Sequence, residues 1–399
     1  MAKIKNIKGR QVFDSRGNPT VEAEIFLDDG HFASAIVPSG ASTGTYEAFE
    51  LRDDNNKDYL GKSVYKAVEN IESLINKALK NIDISKQNKI DKTLIDLDGT
   101  EQKKKLGANA ILAVSIAACK LSAIQKNIPL YKHLSKSKNY KLPTPLLNVI
   151  NGGVHAKNNL EIQEFMIRPE KTSSFSESLR RSFIVIQNLK GMVNNTSVGD
   201  EGGFAPNLEN DEKAIDLIIK AIEKSGFKPG DEISICLDVA ANELKKNKTL
   251  DYYSQIIKKY PIRSIEDPFK EDDWESWKKL SKNTNIQIVG DDLFATNIKR
   301  LKKGIDEKSA NAILIKLNQI GTVTETLEVV EEAQKNGLNT IISHRSGDSE
   351  DTFIADFAVA TNSSQIKTGS LARSERVSKY NRLLRIEEEL GNQAKMFKI

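Results

Sequence analysis

The stretch EISICLD, residues 232–238, is a short apolar run that ends on an acidic side chain. Five more apolar runs that lead into a charged or polar side chain follow, at residues 262–268 (IRSIEDP), 286–292 (IQIVGDD), 311–319 (NAILIKLNQ), 340–347 (TIISHRSG) and 364–369 (SQIKTG). Continuous apolar runs are typical of parallel strands buried on both faces. The polar residues that end these runs are separated by 28, 25, 25, 28 and 23 positions. They are Asp238, Glu266, Asp291, Lys316, His344 with Arg345, and Lys367.

Helical patterns lie between these runs. Residues 322–337 (TVTETLEVVEEAQKNG) place apolar side chains at helical spacing, and Gly337 stands where a helix commonly ends. A strand, a polar tip and a helix repeated every 25 residues or so predict a C-terminal β/α barrel of the TIM type. In such barrels the active site gathers at the C-terminal ends of the strands. The six tips are therefore expected to meet at one rim.

Three hard oxygen ligands come first along this rim. Asp238, Glu266 and Asp291 would suit Mg²⁺, which prefers octahedral oxygen coordination. The alternative is that these acids are structural partners of Lys316 and Lys367. The two readings differ in chemistry, because only the first makes the rim a metal site.

The basic residues complete the predicted chemistry. Near a bound cation and partly buried, the neutral form of Lys316 is favoured, which makes a general base possible. The alternative is a plain salt bridge. Arg345 offers a planar fork suited to phosphate or carboxylate, and His344 and Ser346 flank it. Metal, base and anion clamp together indicate proton abstraction next to a carboxylate.

The first part of the chain has a different pattern. Residues 17–38 read as a β-hairpin with its turn at Asp29-Gly30, and helical spacing follows at about residues 63–80 and 106–125. We expect an N-terminal α+β domain at residues 1–135 and the barrel domain at 136–399, joined by a linker at about 127–146. The apolar run 110–119 is too short for a membrane span and reads as a buried helix.

Composition narrows the class of protein. With 39% hydrophobic and 29% charged residues, the chain has an ordinary globular composition. The net charge of +4 comes mostly from lysines scattered among acids, which favours a solvated surface over a nucleic-acid groove. The two cysteines, Cys119 and Cys236, and the lack of a signal-peptide pattern predict a cytoplasmic protein that uses neither membrane nor nucleic acid.

Long motifs resemble the enolase family over essentially the whole chain, from residue 14 to residue 391. They include VPSGASTG, KLGANAILAVS, NVINGGVHA, QEFMIRP, VGDEGGFAPN, SIEDP, VGDDLFATN, KLNQIGT, SHRSGDSEDTFIAD and QIKTGS. The resemblance implies an irregular barrel of the enolase type and the reversible conversion of 2-phosphoglycerate to phosphoenolpyruvate and water. It also implies two Mg²⁺ ions per site, the second bound with substrate, and at least a homodimer.

The resemblance assigns a role to each candidate residue. It implies that Asp238, Glu266 and Asp291 hold the first metal and that Ser42, on a lid loop, helps to bind the second. Lys316 is implied as the base at C2, and Glu201, with Glu164 beside it, as the acid that assists loss of the C3 hydroxyl. The residues implied to contact substrate are His155, His344, Arg345, Ser346 and Lys367.

Some positions depart from the family pattern. They are Asn242, where serine is usual, Leu371, where proline is usual, and Lys157, close to His155. Two competing hypotheses are a related enzyme that acts on an unphosphorylated acid and a binding or scaffold protein on the same fold. Family members also take second roles with surface partners, and such a role is a further hypothesis for this chain.

Overall fold

A three-stranded antiparallel sheet opens the fold in the computed structural model, which describes residues 2–41, 44–54 and 58–399. Its strands are β1 (Ile4–Phe13), β2 (Pro19–Leu27) and β3 (Phe32–Ile36), in that order. The β2–β3 hairpin closes with Leu27 N–H donating to the His31 carbonyl at 2.8 Å, and Gly30 takes a left-handed φ of 92°. Glycine reaches that region without strain. The hairpin prediction is confirmed at its turn.

Helices follow this sheet in the chain. They are α1 (Tyr65–Asn70), which continues through a π-helical turn at Ile71–Ile75 into α2 (Asn76–Leu79), then α3 (Gln87–Asp98), α4 (Ala108–Gln125) and α5 (Leu130–Leu134). α4 is the one helix among the described residues that is long and apolar enough to cross a membrane, and 83% of it is buried inside the protein. It packs against β2 and β3. This confirms the predicted buried helix.

Eight strands close into a barrel. In chain order they are β5 (Thr144–Asn151), β6 (Glu164–Pro169), β7 (Ile233–Asp238), β8 (Ile262–Glu266), β9 (Gln287–Gly290), β10 (Ala312–Ile315), β11 (Asn339–Ser343) and β12 (Gln365–Lys367). β12 pairs with β5 and closes the ring. All pairs are parallel except those of β6, which runs antiparallel to both β5 and β7. The predicted irregular β/α barrel is confirmed.

Helices follow the strands around the outside, as the amphipathic patterns predicted. They are α6 (Phe175–Lys190), α7 (Asp211–Lys224), α8 (Leu250–Lys259), α9 (Trp274–Asn283), α10 (Ile298–Glu307), α11 (Leu317–Ile320), α12 (Val323–Lys335), α13 (Phe353–Ala360) and α14 (Ser374–Leu390). Side-chain caps start several of them; Thr322 Oγ1, for example, accepts the Glu325 amide at 3.1 Å and begins α12. Gly337, with φ of 76°, follows the end of that helix.

The barrel interior is apolar in its middle and polar at both ends. Its inner layer consists of Leu146, Met166, Cys236, Val289, Ala312, Leu314 and Ile341. At the N-terminal end, the Arg168 guanidinium donates to Gln365 at 3.2 Å, and Gln365 donates to Gln287 at 2.7 Å. The barrel is therefore a filled core rather than a channel, and its C-terminal end opens towards a cavity lined by the strand tips.

The linker prediction was wrong in part. Residues 127–146 contain α5, the short strand β4 (Lys141–Leu142) and the first residues of β5. Prolines at 143 and 145 suggested a loop, but every residue of β5 is buried, so burial and pairing outweighed the local signal. β4 is held by the chain's last strand, β13 (Lys395–Met396). The domain boundary at residues 135/136 stays a prediction.

Candidate active site

The six predicted strand tips meet at the C-terminal rim of the barrel. Asp238, Glu266 and Lys367 are the last residues of their strands, and Asp291, Lys316 and His344 directly follow theirs. Because neighbouring parallel strands end at the same level, their tips converge. Apart from Lys316, each tip is at most 7% exposed. Buried charges are costly unless they are paired, so the pairing of these groups is the first question.

Lys367 lies among three carboxylates. Its ammonium nitrogen is 2.8 Å from Asp238 Oδ2, 2.9 Å from Glu266 Oε1 and 3.1 Å from Glu164 Oε1. Burial lowers the pKa of Lys367, but the carboxylates of Asp238, Glu164 and Glu266 raise it more. The lysine is therefore a cation that compensates much of the negative charge on this side of the rim.

Lys316 is paired with Asp291 by a direct contact between its ammonium and Oδ2. Burial lowers the pKa of Lys316, and the Asp291 carboxylate raises it above its usual value. Arg345 and Lys367 act in the lowering direction. Glu266 acts in the raising direction, so neutralising Asp291 would remove the larger of the two raising influences. The charge on Asp291 therefore influences how strongly the ammonium form of Lys316 is favoured.

Carboxylates at the rim form more than one possible cation site. Among the described residues, two groups place possible ligand atoms within 4.8 Å of one another: His155, Glu164 and Glu201, and Asp267, Asp291 and Asp292. The three predicted ligands, Asp238, Glu266 and Asp291, do not form one such group. The ammonium of Lys367 contacts both Asp238 and Glu266. All three acids nevertheless offer the carboxylate oxygens that Mg²⁺ prefers, on three adjacent strand ends. The donor set fits the ion.

Asp267 was not identified from the sequence. Its two carboxylate oxygens accept the backbone N–H groups of Asp291 and Asp292, each at 2.9 Å, and it takes a left-handed φ of 41°. The Asn242 side chain in turn donates to Asp292 Oδ2 at 2.8 Å. Asp267 therefore orients the turn that carries a predicted metal ligand, and Asn242 is compatible with this arrangement.

Glu164 and Glu201 form a buried carboxyl pair. The strand that carries Glu164, β6, lies across the barrel from β10, which Lys316 follows. Asn148 Nδ2 donates to Oε2 of both, at 3.1 Å and 3.3 Å. The His155 Nδ1 atom is 3.9 Å from Oε1 of Glu164 and 3.7 Å from Oε1 of Glu201. Because β6 is antiparallel, its first residue, Glu164, lies at the rim where other strands end, opposite Asp238.

The two carboxyls differ in acidity. Burial and the nearby Glu201 charge raise the pKa of Glu164 well above its usual range. Burial also raises the pKa of Glu201, but the His344 and His155 imidazoles lower it more, so its pKa falls below the usual range. Glu164 is thus the group that keeps a proton when the pair shares one.

The glycines around Glu201 let its loop pass close to other backbone. A Cβ at Gly199 would lie 2.6 Å from the His155 carbonyl oxygen, and one at Gly203 would lie 2.7 Å from Asn148 Oδ1. Gly202 has a left-handed φ of 83°. The motif VGDEGGFAP is therefore a close-packed part of the site rather than a surface turn.

The residues predicted to bind an anion contact the N-terminal part of the chain. The Arg345 guanidinium donates to Glu47 Oε2 at 2.8 Å and Oε1 at 3.2 Å, and to Asn318 Oδ1 at 3.1 Å. Ser346 Oγ accepts the Ala41 amide at 2.7 Å. Ser42 lies outside the described residues. Glu47 was missed because it is 298 positions away from Arg345.

Arg376 was also missed, although the sequence carries a signal for it. Arg376, Lys379, Tyr380 and Leu383 have the spacing of one helix face and are all buried on α14. Two cations on an apolar face need partners inside the protein. The partners of Lys379 are Asp348 and two backbone carbonyls; those of Arg376 include the side chain of His344.

The predicted site residues other than Ser42 and Glu266 line one small cavity. It is bordered by His155, Glu164, Glu201, Asp238, Asp291, Lys316, His344, Arg345, Ser346 and Lys367. Glu266 contacts this set through Lys367. The cavity wall is strongly polar. It contains the basic residue predicted to remove a proton and the carboxyl group predicted to assist loss of the hydroxyl.

Two family models match the chain in consecutive parts. One is described as the enolase N-terminal domain and matches residues 4–134, and the other as the enolase C-terminal TIM barrel domain and matches residues 139–250 and 242–398. The protein named enolase from Pelagibacter ubique (strain HTCC1062) is 64% identical to this chain. The alignment is 418 positions long and covers all of both chains. With both family models and a full-length relative in agreement, the chain belongs to the enolase family.

Proposed function

We propose residue roles for the activity of the family, the dehydration of 2-phosphoglycerate to phosphoenolpyruvate in glycolysis. The chain is a hydro-lyase of this type. The observation that supports the assignment is one cavity lined together by Lys316, by the carboxyl pair of Glu164 and Glu201, and by Arg345. In the proposal Lys316 removes the C2 proton, and the electron pair of that bond forms the C2=C3 double bond. The C3 hydroxyl leaves as water with a proton from Glu201.

Glu164 is proposed to supply that proton to the pair. Burial and the Glu201 charge raise the pKa of Glu164 and so favour its protonated form, and Asn148 contacts both carboxyls. A carboxyl pair with split acidities is a good proton store, because one member holds the proton that the other needs. Glu201 then acts as the group next to the leaving hydroxyl.

The remaining residues are proposed to hold the substrate. Arg345 and Ser346 would bind the phosphate, Lys367 the carboxylate, and His155 and His344 would border the reacting end. A buried, planar guanidinium gives a bidentate fit to phosphate oxygens. A substrate phosphate at Arg345 would share that guanidinium with Glu47.

The family uses Mg²⁺, and the acidic clusters at the rim suit it. We propose two ions per site, the first held by Asp238, Glu266 and Asp291 and the second, with substrate, by Ser42. When bound, Mg²⁺ would stabilise the negative charge that builds up on the substrate's carboxylate oxygens as C2 loses its proton. The chain's own contribution is to place three carboxylates on adjacent strand ends and to keep Lys316 beside them.

The direct test follows phosphoenolpyruvate formation by its ultraviolet absorbance, with and without Mg²⁺. We expect turnover of 2-phosphoglycerate that chelation abolishes and added Mg²⁺ restores. Glycerate should not react, because it lacks the phosphate that Arg345 and Ser346 are proposed to bind. Preferential turnover of glycerate would refute the substrate assignment, and absence of turnover with intact folding would refute the enzyme assignment.

We also infer a cytoplasmic protein that is at least a homodimer and requires neither nucleic acid nor membrane. An exposed apolar patch supports self-association: Phe13, Tyr59, Leu60 and Tyr65 are 58%, 45%, 85% and 50% exposed. Leu60 has a left-handed φ of 55°, so Leu60→Asp should cost little in folding. Sedimentation analysis should show a weaker dimer for this variant. An unchanged dimer would exclude this patch as the interface.

A further inference from the structure

Arg376 is a fully buried guanidinium that connects three parts of the active site. It donates to Nδ1 of His344 at 2.6 Å, to the carbonyl oxygens of Arg345 and Ser346 at 2.6 Å each, and to that of Asp200 at 3.2 Å. The Asp200 carbonyl precedes Glu201 in the chain. One side chain on α14 therefore holds the loop of the anion clamp, the loop of the proposed acid and the imidazole between them.

The contact with His344 determines which ring nitrogen carries hydrogen. Arginine has five donors and no acceptor, and it stays protonated in proteins. A bond of 2.6 Å from its Nη1 therefore requires a lone pair on His344 Nδ1. The Nδ1–H tautomer and the doubly protonated ring would both oppose a donor to a donor. Only the neutral ring with hydrogen on Nε2 satisfies the contact.

The environment of the ring agrees with a neutral form. Burial lowers the pKa of His344, the Glu201 carboxylate raises it and Arg376 lowers it, which together bring it to about 4. Asp348 also faces the ring and acts in the raising direction. At neutral pH the imidazole is thus a hydrogen-bond donor at one end only.

The Nε2 end of the ring faces the reaction cavity. It lies 3.3 Å from Oε2 of Glu201, although the two atoms are not fully aligned for a hydrogen bond. Asn148 Nδ2 approaches the same oxygen at 3.3 Å. Two donors then face Oε2, whereas Oε1 has His155 Nδ1 at 3.7 Å.

We propose that Arg376 is a positioning residue that fixes His344 as the neutral Nε2–H tautomer and thereby makes Oε1 the proton-bearing oxygen of Glu201. An oxygen that accepts from two donors is a poor place for a carboxyl proton, so the proton resides on the other oxygen. The consequence for the reaction rests on the proposed role of Glu201. The tautomer itself does not.

The test reads the tautomer directly. Protein labelled with ¹⁵N in histidine gives two ring signals for each of its four histidines. Protonated and unprotonated ring nitrogens resonate far apart, and the His344→Gln variant assigns the pair that belongs to His344. At neutral pH we expect hydrogen on Nε2 and none on Nδ1. Hydrogen on Nδ1, or on both nitrogens, would overturn the proposal even if the protein turns over 2-phosphoglycerate normally.

Variants at position 376 test what fixes the tautomer. Arg376→Lys keeps a donor without an acceptor, so His344 should keep hydrogen on Nε2. Arg376→Gln offers both a donor and an acceptor, so the Nδ1–H tautomer should appear. Lys379→Met is the matched control, because Lys379 is an equally buried cation on α14 that contacts Asp348 rather than His344. Its spectrum should keep the wild-type tautomer despite lower stability.

Kinetics should separate positioning from folding. Loss of a residue that orients an active group commonly costs about 10- to 100-fold in activity, and we expect this for Arg376→Gln mainly in kcat, with partial rescue in Arg376→Lys. A folded Arg376→Gln protein with the wild-type ring signals would show that Arg376 does not fix the tautomer. If this variant does not fold, a wild-type tautomer in Arg376→Lys supports the proposal and an altered one overturns it.

Discussion

The ion pair between Glu47 and Arg345 gives a sharp prediction about stability. Both side chains are nearly buried, at 7% and 4% exposure, and the pair is bidentate at 2.8 Å and 3.2 Å. In Glu47→Gln the amide oxygen can replace Oε1, which accepts from Gly44 N and Gln319 Nε2. The amide nitrogen would then face the Arg345 Nη1 donor. If the amide were flipped, its nitrogen would instead face the donors that contact Oε1, so one donor-to-donor contact would remain.

The expected loss follows from the cost of stranding a buried charge. Removing one partner of such a pair costs about 3–5 kcal/mol, and the low end applies because Asn318 still accepts from Arg345 at 3.1 Å. A chain of 399 residues has an unfolding entropy of about 0.8 kcal/mol per kelvin, so about 3 kcal/mol lowers Tm by about 4 °C. Thermal unfolding followed by circular dichroism measures this.

The control is the same substitution in an exposed pair. Glu101 lies 2.7 Å from Lys299, and their side chains are 76% and 78% exposed. Exposed pairs contribute little, so Glu101→Gln should leave Tm unchanged. The reasoning is refuted if Glu47→Gln lowers Tm by no more than the control. A phosphate-bearing ligand, which offers Arg345 new oxygens, should restore part of the loss in Glu47→Gln.

Three further predictions concern the reaction, pH and the glycine loop. Lys316→Ala should lower kcat by at least about 100-fold with the fold intact by circular dichroism, and near-normal turnover would exclude the assigned base. Burial and Lys126 lower the pKa of His133 to about 4, below the unfolded value of about 6.5, so stability should fall as pH drops from about 6.5 to 4. His133→Gln should flatten that part of the urea-midpoint curve against pH, and an equal slope would contradict the assignment. Gly199→Ala, whose Cβ would meet the His155 carbonyl at 2.6 Å, should lose stability by about 1–3 kcal/mol and lower kcat, whereas Gly191→Ala, with no atom closer than 3.6 Å, should do neither.

The sequence predicted the parts of the fold in which local pattern and final environment agree. Strands β7 to β12 are buried on both faces, so they read as apolar runs with one polar tip each. β1 was missed because it is half-exposed and carries charges along IKNIKGRQVF, which breaks the apolar pattern. β6 was hard to place for another reason. Its direction is reversed, so its functional residue, Glu164, begins the strand instead of ending it.

Site residues could be predicted from spacing where they lie at the strand ends of the β/α repeat, and not where they lie outside it. Asp238, Glu266 and Asp291 follow from chain order alone, since each ends a parallel strand. Glu47 and Arg376 do not, because the first reaches the rim from the N-terminal sheet region and the second from the last long helix. No spacing rule connects such segments. Their contacts depend on how the helices and the N-terminal part pack around the finished barrel.

The charges at the rim determine which protonation state of Lys316 is favoured. Burial and the nearby Asp238 carboxylate raise the pKa of Glu266 even with Lys367 at 2.9 Å, so the lysines do not neutralise all the negative charge of this ring. That excess is what a divalent cation would offset. Once Asp291 is neutralised, its upward effect on the pKa of Lys316 disappears, while burial, Arg345 and Lys367 keep lowering it and Glu266 keeps raising it. In the proposed mechanism, the acids that would bind the metal therefore also influence the protonation of Lys316.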